Sequence, residues 1–359
     1  MSGRGPRVLL VSSNGAGMGH LTRLVAMARR RGPGTDVHLL SMSQAVPVAA
    51  DGLPWTYVPS AGDLGIGSRR WNALLLRRLR AELDRLRPDV VVFDGAYPYS
   101  GVLDAVAERG GVRLVWSRRG MWKPGQGAAQ LARCDGAVDL VVQPGEVAAS
   151  ADRGLTAGRG DALVVRPVTL LDEPDLLDRA AARRALGLDP DRPVVLVSLG
   201  AGNLADVTTD RGAVLAALRA HDVQVAVTQP AIAGTAAVLD AGAVPVAVYP
   251  VSRYLRAVDA AVVTAGYNSF HESVAFAVPS AFVANTTQLD DQEARAAWAQ
   301  DAGVGLRLDP RGDVAGVLAR LVDPAEQARL AAACRAVWPG NGAAEAMAAV
   351  ERVAGGGGA

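Results

Sequence analysis

VTAGYNSFHESVAFAVPSAF (residues 263–282) joins an apolar run to a helix-like run through a short polar turn. The apolar stretch 260–263 has the composition of a buried strand, and it gives out just before Gly266. Between strand and helix stand an amide (Asn268), a hydroxyl (Ser269) and, three residues after the hydroxyl, a carboxylate (Glu272). Gly266 permits a tight exit from the strand. Asn268 and Ser269 are candidate helix caps. A helix opened in this way turns free N–H groups and the positive end of its dipole outward, a place for a diphosphate. Glu272 has two readings. The pattern S-x-x-E is a capping box, or the carboxylate accepts hydrogen bonds from the vicinal hydroxyls of a ribose.

The same alternation runs along the whole chain. Apolar runs at 7–13, 36–42, 89–95, 112–119, 139–144 and 162–168 read as strands, with amphipathic helical runs between the earlier ones. A charged helical stretch (175–193) precedes a second series at 194–202, 223–230, 244–250, 260–266, 280–285 and 303–309. Strands that are apolar throughout and alternate with helices imply parallel sheets covered on both faces. A chain of 359 residues is too long for one ordinary core. The expected fold class is therefore α/β, with two Rossmann-like doubly wound domains facing a cleft. The expected boundaries are 1–166, 167–345 and a tail at 346–359 with a Gly-rich end. In such sheets ligands sit beyond the carboxyl ends of the strands, so the loops after strands carry the chemistry.

The loop after the first strand, SSNGAGMGHLTR (12–23), holds Gly15, Gly17 and Gly19. Their spacing is two then two, where the dinucleotide fingerprint G-x-G-x-x-G needs two then three, and Asp36 precedes its strand rather than following it. Dinucleotide binding is a weak reading. What remains is a glycine loop, with Gly17 and Gly19 letting a ligand approach a helix N-terminus, and His20 beside it. His20 can take a proton near neutral pH, or it is a capping or packing histidine. SLGAGN (198–203) repeats the pattern in the second series, as a cleft-facing loop of small residues or an ordinary tight turn. NTTQLDDQEAR (285–295) places Asp290, Asp291, Gln292 and Glu293 at a strand exit. Amides and carboxylates suit sugar hydroxyls, and acids also suit a bare helix N-terminus. The DPD at 189–191 precedes a strand and reads as a solvated turn rather than a metal site.

Composition narrows the field. Lys+Arg (37) balances Asp+Glu (36), so charge steering toward nucleic acid is not indicated. Arginine far outnumbers lysine, which together with the Ala and Gly content reflects a GC-rich genome. Cys134 and Cys334 are too few and too far apart for a disulfide framework or a zinc site, and read as buried thiols. The start of the chain has no apolar segment of signal-peptide length, and no run reaches the roughly 18 apolar residues of a spanning helix. The expected location is the cytoplasm.

The glycine loop ending in His20, the AGYNSFHE turn and QLDDQEA together resemble a GT-B fold glycosyltransferase, specifically the MurG-like enzymes of glycosyltransferase family 28. The resemblance covers essentially the whole chain. It implies a nucleotide-sugar donor as co-substrate, with no cofactor and no metal. It places the base against the backbone of Val248 and Tyr249, the ribose on Glu272, and the diphosphate at Gly266, Asn268 and Ser269 with Gly200, Ala201 and Gly202 behind it. Gln292 matches a residue contacting the donor sugar, with Asp291 and Glu293 beside it. Where the peptidoglycan enzyme of the family has a second glutamine, this chain has Glu293.

The family transfers with inversion, so a base must take the acceptor proton. His20 is the first candidate. Asp94, at the end of a buried strand, is the second, and burial is expected to raise its pKa. It also reads as a turn-capping aspartate. Tyr97 and Tyr99 would line an acceptor pocket. Arg118 and Arg119 would bind an anionic acceptor, or lie in a solvated loop. The helical run 68–87 carries an apolar stripe (Trp71, Leu74, Leu75, Leu79, Leu83, Leu86) among seven arginines. It either rests on an anionic membrane, as suits a peripheral enzyme with a lipid-linked acceptor, or packs on its own sheet. The expected activity is metal-independent, inverting transfer from a UDP-linked sugar, UDP-GlcNAc being the first candidate. The acceptor is a lipid-linked sugar, a cell-wall precursor or a natural product. A nucleotide-sugar hydrolase and a non-catalytic nucleotide-sugar binder are the alternatives on the same fold.

Overall fold

A computed structural model describes residues 4–14, 17–200, 208–229 and 242–356. They fall into two compact units. The first comprises the described parts of Met1–Gly145, Arg153–Leu170 and Asn341–Ala359, and the second those of Glu146–Asp152 and Leu171–Gly340. The expected boundaries shift accordingly. A short piece of the first half joins the second unit. The helix Ala343–Ala354, expected across the end of the second domain and the tail, belongs to the first unit and packs against the helix Gly19–Arg29 and strands of that sheet.

The first unit is built on β1 (Arg7–Asn14), β2 (Asp36–Met42), β3 (Trp55–Tyr57), β4 (Val90–Asp94), β5 (Arg113–Ser117), β6 (Leu140–Pro144) and β7 (Leu163–Val165). The sheet order is β3-β2-β1-β4-β5-β6-β7 and every pairing is parallel. Every residue of β4 is buried, as a strand covered by helices on both faces must be. Only β3 escapes the sequence pattern. It is three residues long, at the sheet edge, with Trp55 exposed, so it lacks an apolar run.

The second unit contains β8 (Val194–Ser198), β9 (Gln224–Thr228), β10 (Val244–Val246), β11 (Ala260–Thr264), β12 (Ser280–Val283) and β13 (Leu306–Arg307), in the order β10-β9-β8-β11-β12-β13. These pairings are parallel as well. The order reverses between β1 and β4 in the first sheet and between β8 and β11 in the second. At such a switch point the flanking loops diverge and leave a crevice at the carboxyl edge.

The arginine-rich helix, Ser68–Leu86, settles one of the two readings of its stripe. Trp71, Leu75, Leu79 and Leu83 are buried, and the helix packs on the helix Ser100–Arg109. A Cβ at Gly101 would stand 2.7 Å from the Asn72 carbonyl, so the approach of these helices needs glycine there. The apolar stripe is core rather than a membrane face. Arg78 and Arg85 flank the buried Glu82, while Arg80 pairs with Glu108. Arg69, Arg70, Arg77 and Arg87 are exposed and, among the described residues, have no carboxylate partner.

Candidate functional site

At the switch point of the first sheet, β1 leads through the glycine loop into the helix Gly19–Arg29. Gly17 is half-buried and Gly19 is the first helical residue. No side chain caps this helix at Met18 and no acid occupies its first turn. His20 follows directly, and Arg23 lies one turn further along. Across the switch point β4 ends in Asp94, flanked in register by Ser12 of β1 and Ser117 of β5.

These groups converge on the Asp94 carboxylate, which is fully buried. His20 Nδ1 is 2.7 Å from Oδ1. Arg23 donates through Nη2 to Oδ1 at 2.5 Å and through Nε to Oδ2 at 3.1 Å. Ser117 Oγ donates to Oδ2 at 2.8 Å. Burial alone would raise the Asp94 pKa, as the sequence suggests. The Arg23 guanidinium and the His20 hydrogen bond outweigh burial and hold it at about 2. Asp94 is thus an ionised anchor, and the expectation of a raised, base-like pKa is overturned.

An ionised carboxylate fixes the tautomer of its partner. His20 Nδ1–H donates to Asp94, and Nε2 keeps its lone pair. Arg23 Nη2, 2.8 Å from Nδ1, is a second donor converging on the same oxygen. Burial, Arg23 and Arg119 lower the His20 pKa against the opposing pull of Asp94. The imidazole is therefore neutral near pH 7. Its side chain keeps 20% exposure, while Asp94 and Arg23 are closed off.

The other residues expected around an acceptor divide. Arg118 is buried and donates to both oxygens of Asp161 at 2.9 and 2.6 Å, with its guanidinium 5.4 Å from the Trp116 ring centre. It is a strut of the domain and not an anion ligand, nor is it in a solvated loop. Arg119 is half-buried and close enough to act on His20. Tyr99 packs edge-on against Trp71 (5.1 Å) and Phe93 (5.3 Å), with Tyr97 6.4 Å away from it. Tyr97 is half-buried at the carboxyl edge, and its ring is less committed to the core.

In the second unit the carboxyl-edge loops of β8, β10, β11 and β12 carry the expected donor residues. Gly200 has φ +88°, a left-handed conformation that favours glycine, and Asn285 of the β12 loop is its nearest neighbour. Ala201 and Gly202 lie outside the described residues. Gly266, rather than Asn268 or Ser269, is the N-cap of the helix Tyr267–Ala275, and no side chain caps it. Asn268 and Ser269 sit within the first turn. Glu272 is more than a turn inside, so the capping-box reading is overturned.

Glu272 is left for a different role. Burial raises its pKa to about 7, the hydrogen bond from the nearby Ser252 hydroxyl pulling the other way. Ser252 belongs to the 3₁₀ helix Val251–Ala257, which follows the loop bearing Val248 and Tyr249. Those two residues are half-buried.

The acidic cluster after β12 also divides. Asp291 is the N-cap of the helix Gln292–Asp301, accepting from Ala294 N at 3.1 Å. Glu293 makes an exposed ion pair with Arg307. Asp290 is 3.0 Å from the buried Arg295. Of the three residues 291–293, Gln292 turns toward the Gly266 turn. Its Oε1 accepts from Asn285 N at 3.0 Å, and its Nε2 donates to Asp290 Oδ2 at 3.1 Å and lies 3.6 Å from where a Gly266 Cβ would stand. Arg295 completes the platform, donating to the Ala265 carbonyl at 2.7 Å and pairing with Glu146 at 2.8 Å. Arg23, Ser252 and Arg295 were not singled out in the sequence. Two of them stand inside quoted motifs, and only their contacts reveal them. Among the described residues no cluster of three or more His, Cys, Asp or Glu could hold a metal.

No family model matches the chain. A curated relative does. The chain is 32% identical over 365 aligned positions, 93% of its own length and 94% of the relative's, to the UDP-N-acetylglucosamine–N-acetylmuramyl-(pentapeptide) pyrophosphoryl-undecaprenol N-acetylglucosamine transferase of a Nocardioides species. Among solved structures, the forosaminyltransferase SpnP superposes with a TM-score of 0.71 at 19% identity, over 98% of this chain and 99% of that one. The glycosyltransferase VinC, solved with DTDP, gives 0.66 at 18% identity over 98% and 100%. MurG of Acinetobacter baumannii gives 0.62 at 16% identity over 97% and 99%. At such identities the structures speak for the fold, which is GT-B. Taken with the curated relative, they place this chain in the family of MurG-like glycosyltransferases, enzymes that transfer a sugar from a nucleotide donor.

Proposed function

We propose that this chain is an inverting, metal-independent glycosyltransferase whose donor is a UDP-linked sugar, with UDP-GlcNAc, the substrate of its curated relative, as first candidate. The observation that carries the reading is His20, held through Nδ1 by the ionised Asp94 at 2.7 Å, with its side chain the one exposed member of the pair. In this reading the acceptor hydroxyl gives its proton to His20 Nε2 as its oxygen attacks the anomeric carbon. The bond from that carbon to the diphosphate oxygen breaks on the opposite side. Asp94 does not take the proton. It orients the ring and stabilises the imidazolium.

The leaving diphosphate gains negative charge. The uncapped N-terminus of the helix Tyr267–Ala275 would meet it with N–H groups and dipole, which removes the need for a metal. Glu272 would accept from the ribose hydroxyls, and Gln292 would contact the donor sugar. Asp291 is engaged as a helix cap and Glu293 by Arg307. The relative's name specifies a pyrophosphoryl-undecaprenol acceptor. An acceptor of that lipid-linked kind suits the exposed Arg69, Arg70, Arg77 and Arg87, which would attract an anionic membrane surface on the cytoplasmic side. Among the described residues no helix is long and apolar enough to cross a membrane.

The test is a thermal-shift panel with UDP, dTDP, GDP, ADP and NAD, followed by UDP release from UDP-GlcNAc with lipid-linked acceptors. Ligand at 100 times its dissociation constant adds about 2.7 kcal/mol of stability. UDP should shift the melt, and His20→Ala should keep that shift while losing transfer. An absence of any nucleotide shift, or full transfer by His20→Ala, would overturn the proposal.

A further inference from the structure

Ala265 stands where β11 leaves its sheet, and its backbone departs from the pattern of a parallel ladder. Its N–H donates to the Val283 carbonyl of β12 at 2.7 Å, an ordinary rung. In a parallel pair the next rung would run to the Ala265 carbonyl from the N–H two residues further along the neighbour, that of Asn285. That rung is not made. Asn285 N donates to Gln292 Oε1 at 3.0 Å, and the Ala265 carbonyl accepts from Arg295 Nη1 at 2.7 Å. Gln292 and Arg295 are three residues apart on the helix Gln292–Asp301, so one face of that helix takes over both halves of the rung. Asp290 closes the circuit, accepting from Gln292 Nε2 at 3.1 Å and from Arg295 Nη2 at 3.0 Å. Glu146 accepts from Arg295 Nε and Nη2 at 3.1 and 2.8 Å. Arg295 is fully buried, and a guanidinium gripped by two carboxylates is not free to release the carbonyl.

The consequence falls on the other end of the same peptide. In a trans peptide the C=O and the following N–H point in opposite directions, and the Ala265–Gly266 bond is trans. In ladder register the carbonyl would face β12 and the Gly266 N–H would face β8, within the plane of the sheet. Here the carbonyl is drawn to a buried cation, so the Gly266 N–H is aimed away from that cation. It has no hydrogen-bond partner among the described residues, and it stands at the N-cap, beside the first N–H groups of the helix Tyr267–Ala275. We propose that Arg295 is a positioning residue for the leaving group: it holds the Ala265–Gly266 peptide out of the ladder, so that the Gly266 N–H joins the first N–H groups of the helix in binding the donor diphosphate. The inference rests on the donor assignment above and deepens it. With two carboxylates against one guanidinium, the cluster brings no net positive charge to the site. Arg295 therefore acts through the peptide and not as a point charge. A peptide released from this grip can rotate, and rotation takes a donor away from the diphosphate.

The experiment is calorimetric titration of the full chain with UDP and with uridine, which has no phosphate, repeated on two variants whose folding is checked by chemical denaturation. The triple variant Arg295→Met, Glu146→Gln, Asp290→Asn removes the grip without stranding a buried charge. It should bind uridine within about twofold of the wild type and UDP about tenfold or more weakly, the loss expected for a hydrogen bond to a charged group. Arg295→Lys keeps a cation for the two acids but not the fork that spans them and the carbonyl, and should fall between the wild type and the triple variant. A merely structural role would lower both affinities together. UDP and uridine weakened in parallel, or UDP affinity unchanged in the folded variants, would overturn the role of Arg295 and leave the donor assignment standing. A wild type that binds uridine as tightly as UDP, or binds neither, would overturn the donor assignment together with the inference.

Discussion

Glu272 titrates where most assays are run, and nucleotide binding should therefore be visibly linked to protons. Burial raises its pKa from 4.5 to about 7 in the fold. A carboxyl with a raised folded pKa favours the native state fully below the unfolded value, and that contribution is lost as pH rises through the folded one. The window here is about pH 4.5 to 7, and the loss is at most about 3 kcal/mol, on the order of 5–10 °C of melting temperature. Glu272→Gln carries no charge, so its stability relative to the wild type should rise by that amount between pH 5 and pH 8. A ribose diol binds the carboxylate more tightly than the acid, because hydrogen bonds to the ionised form are the stronger ones. At pH 7 about half of the free protein holds this proton, and binding should release about half a proton. The dissociation constant of UDP should fall about tenfold from pH 6 to pH 8. Titration calorimetry at pH 7 in buffers of different ionisation enthalpy reads the proton directly, and Glu272→Gln should show neither the release nor the slope. A wild-type affinity flat across this range, with enthalpy independent of buffer, would refute both the buried-carboxyl assignment and the diol contact.

Asp94→Asn should lower kcat by about 10²–10⁴ while UDP affinity stays unchanged, because the wrong tautomer is then favoured in His20. His20 must be neutral to accept a proton and its pKa is lowered, so the acid limb of the pH–rate profile should fall below pH 6.5. Arg119→Ala removes one of the lowering charges and should move that limb upward. Arg295→Ala should destabilise the fold by about 3–5 kcal/mol, since it strands Glu146 and Asp290 in the interior, and chemical denaturation measures this.

Much of this was legible in the residues because parallel sheets covered on both faces write themselves as apolar runs. β11 and its glycine exit are the clearest case. The edge strand β3 was invisible, being short and partly exposed. At the site the sequence named positions better than roles. Asn268 and Ser269 looked like caps because the register of the helix start is a matter of one or two residues, and Gly266 itself takes the cap position. The three consecutive polar residues 291–293 cannot announce which one faces the ligand. Asp291 turns back to its own helix, Glu293 faces solvent, and Gln292 turns toward Gly266 and Asn285. For Asp94 the sign of the burial effect was correct. Its decisive partner, Arg23, stands 71 residues away in the chain, and no local pattern shows that it arrives with two hydrogen bonds.

The path of the chain has a practical consequence for anyone recombining such enzymes. Residues 146–152 group with the second unit, and the last helix, Ala343–Ala354, is part of the first. A graft that replaces the donor-binding half with a single crossover near residue 167 would import a foreign closing helix. That helix would have to fit against Gly19–Arg29, which carries His20 and Arg23. A chimera that changes the donor sugar while keeping the proton-accepting machinery therefore needs additional junctions, one of them just before Asn341, so that each transplanted piece keeps its own packing partners.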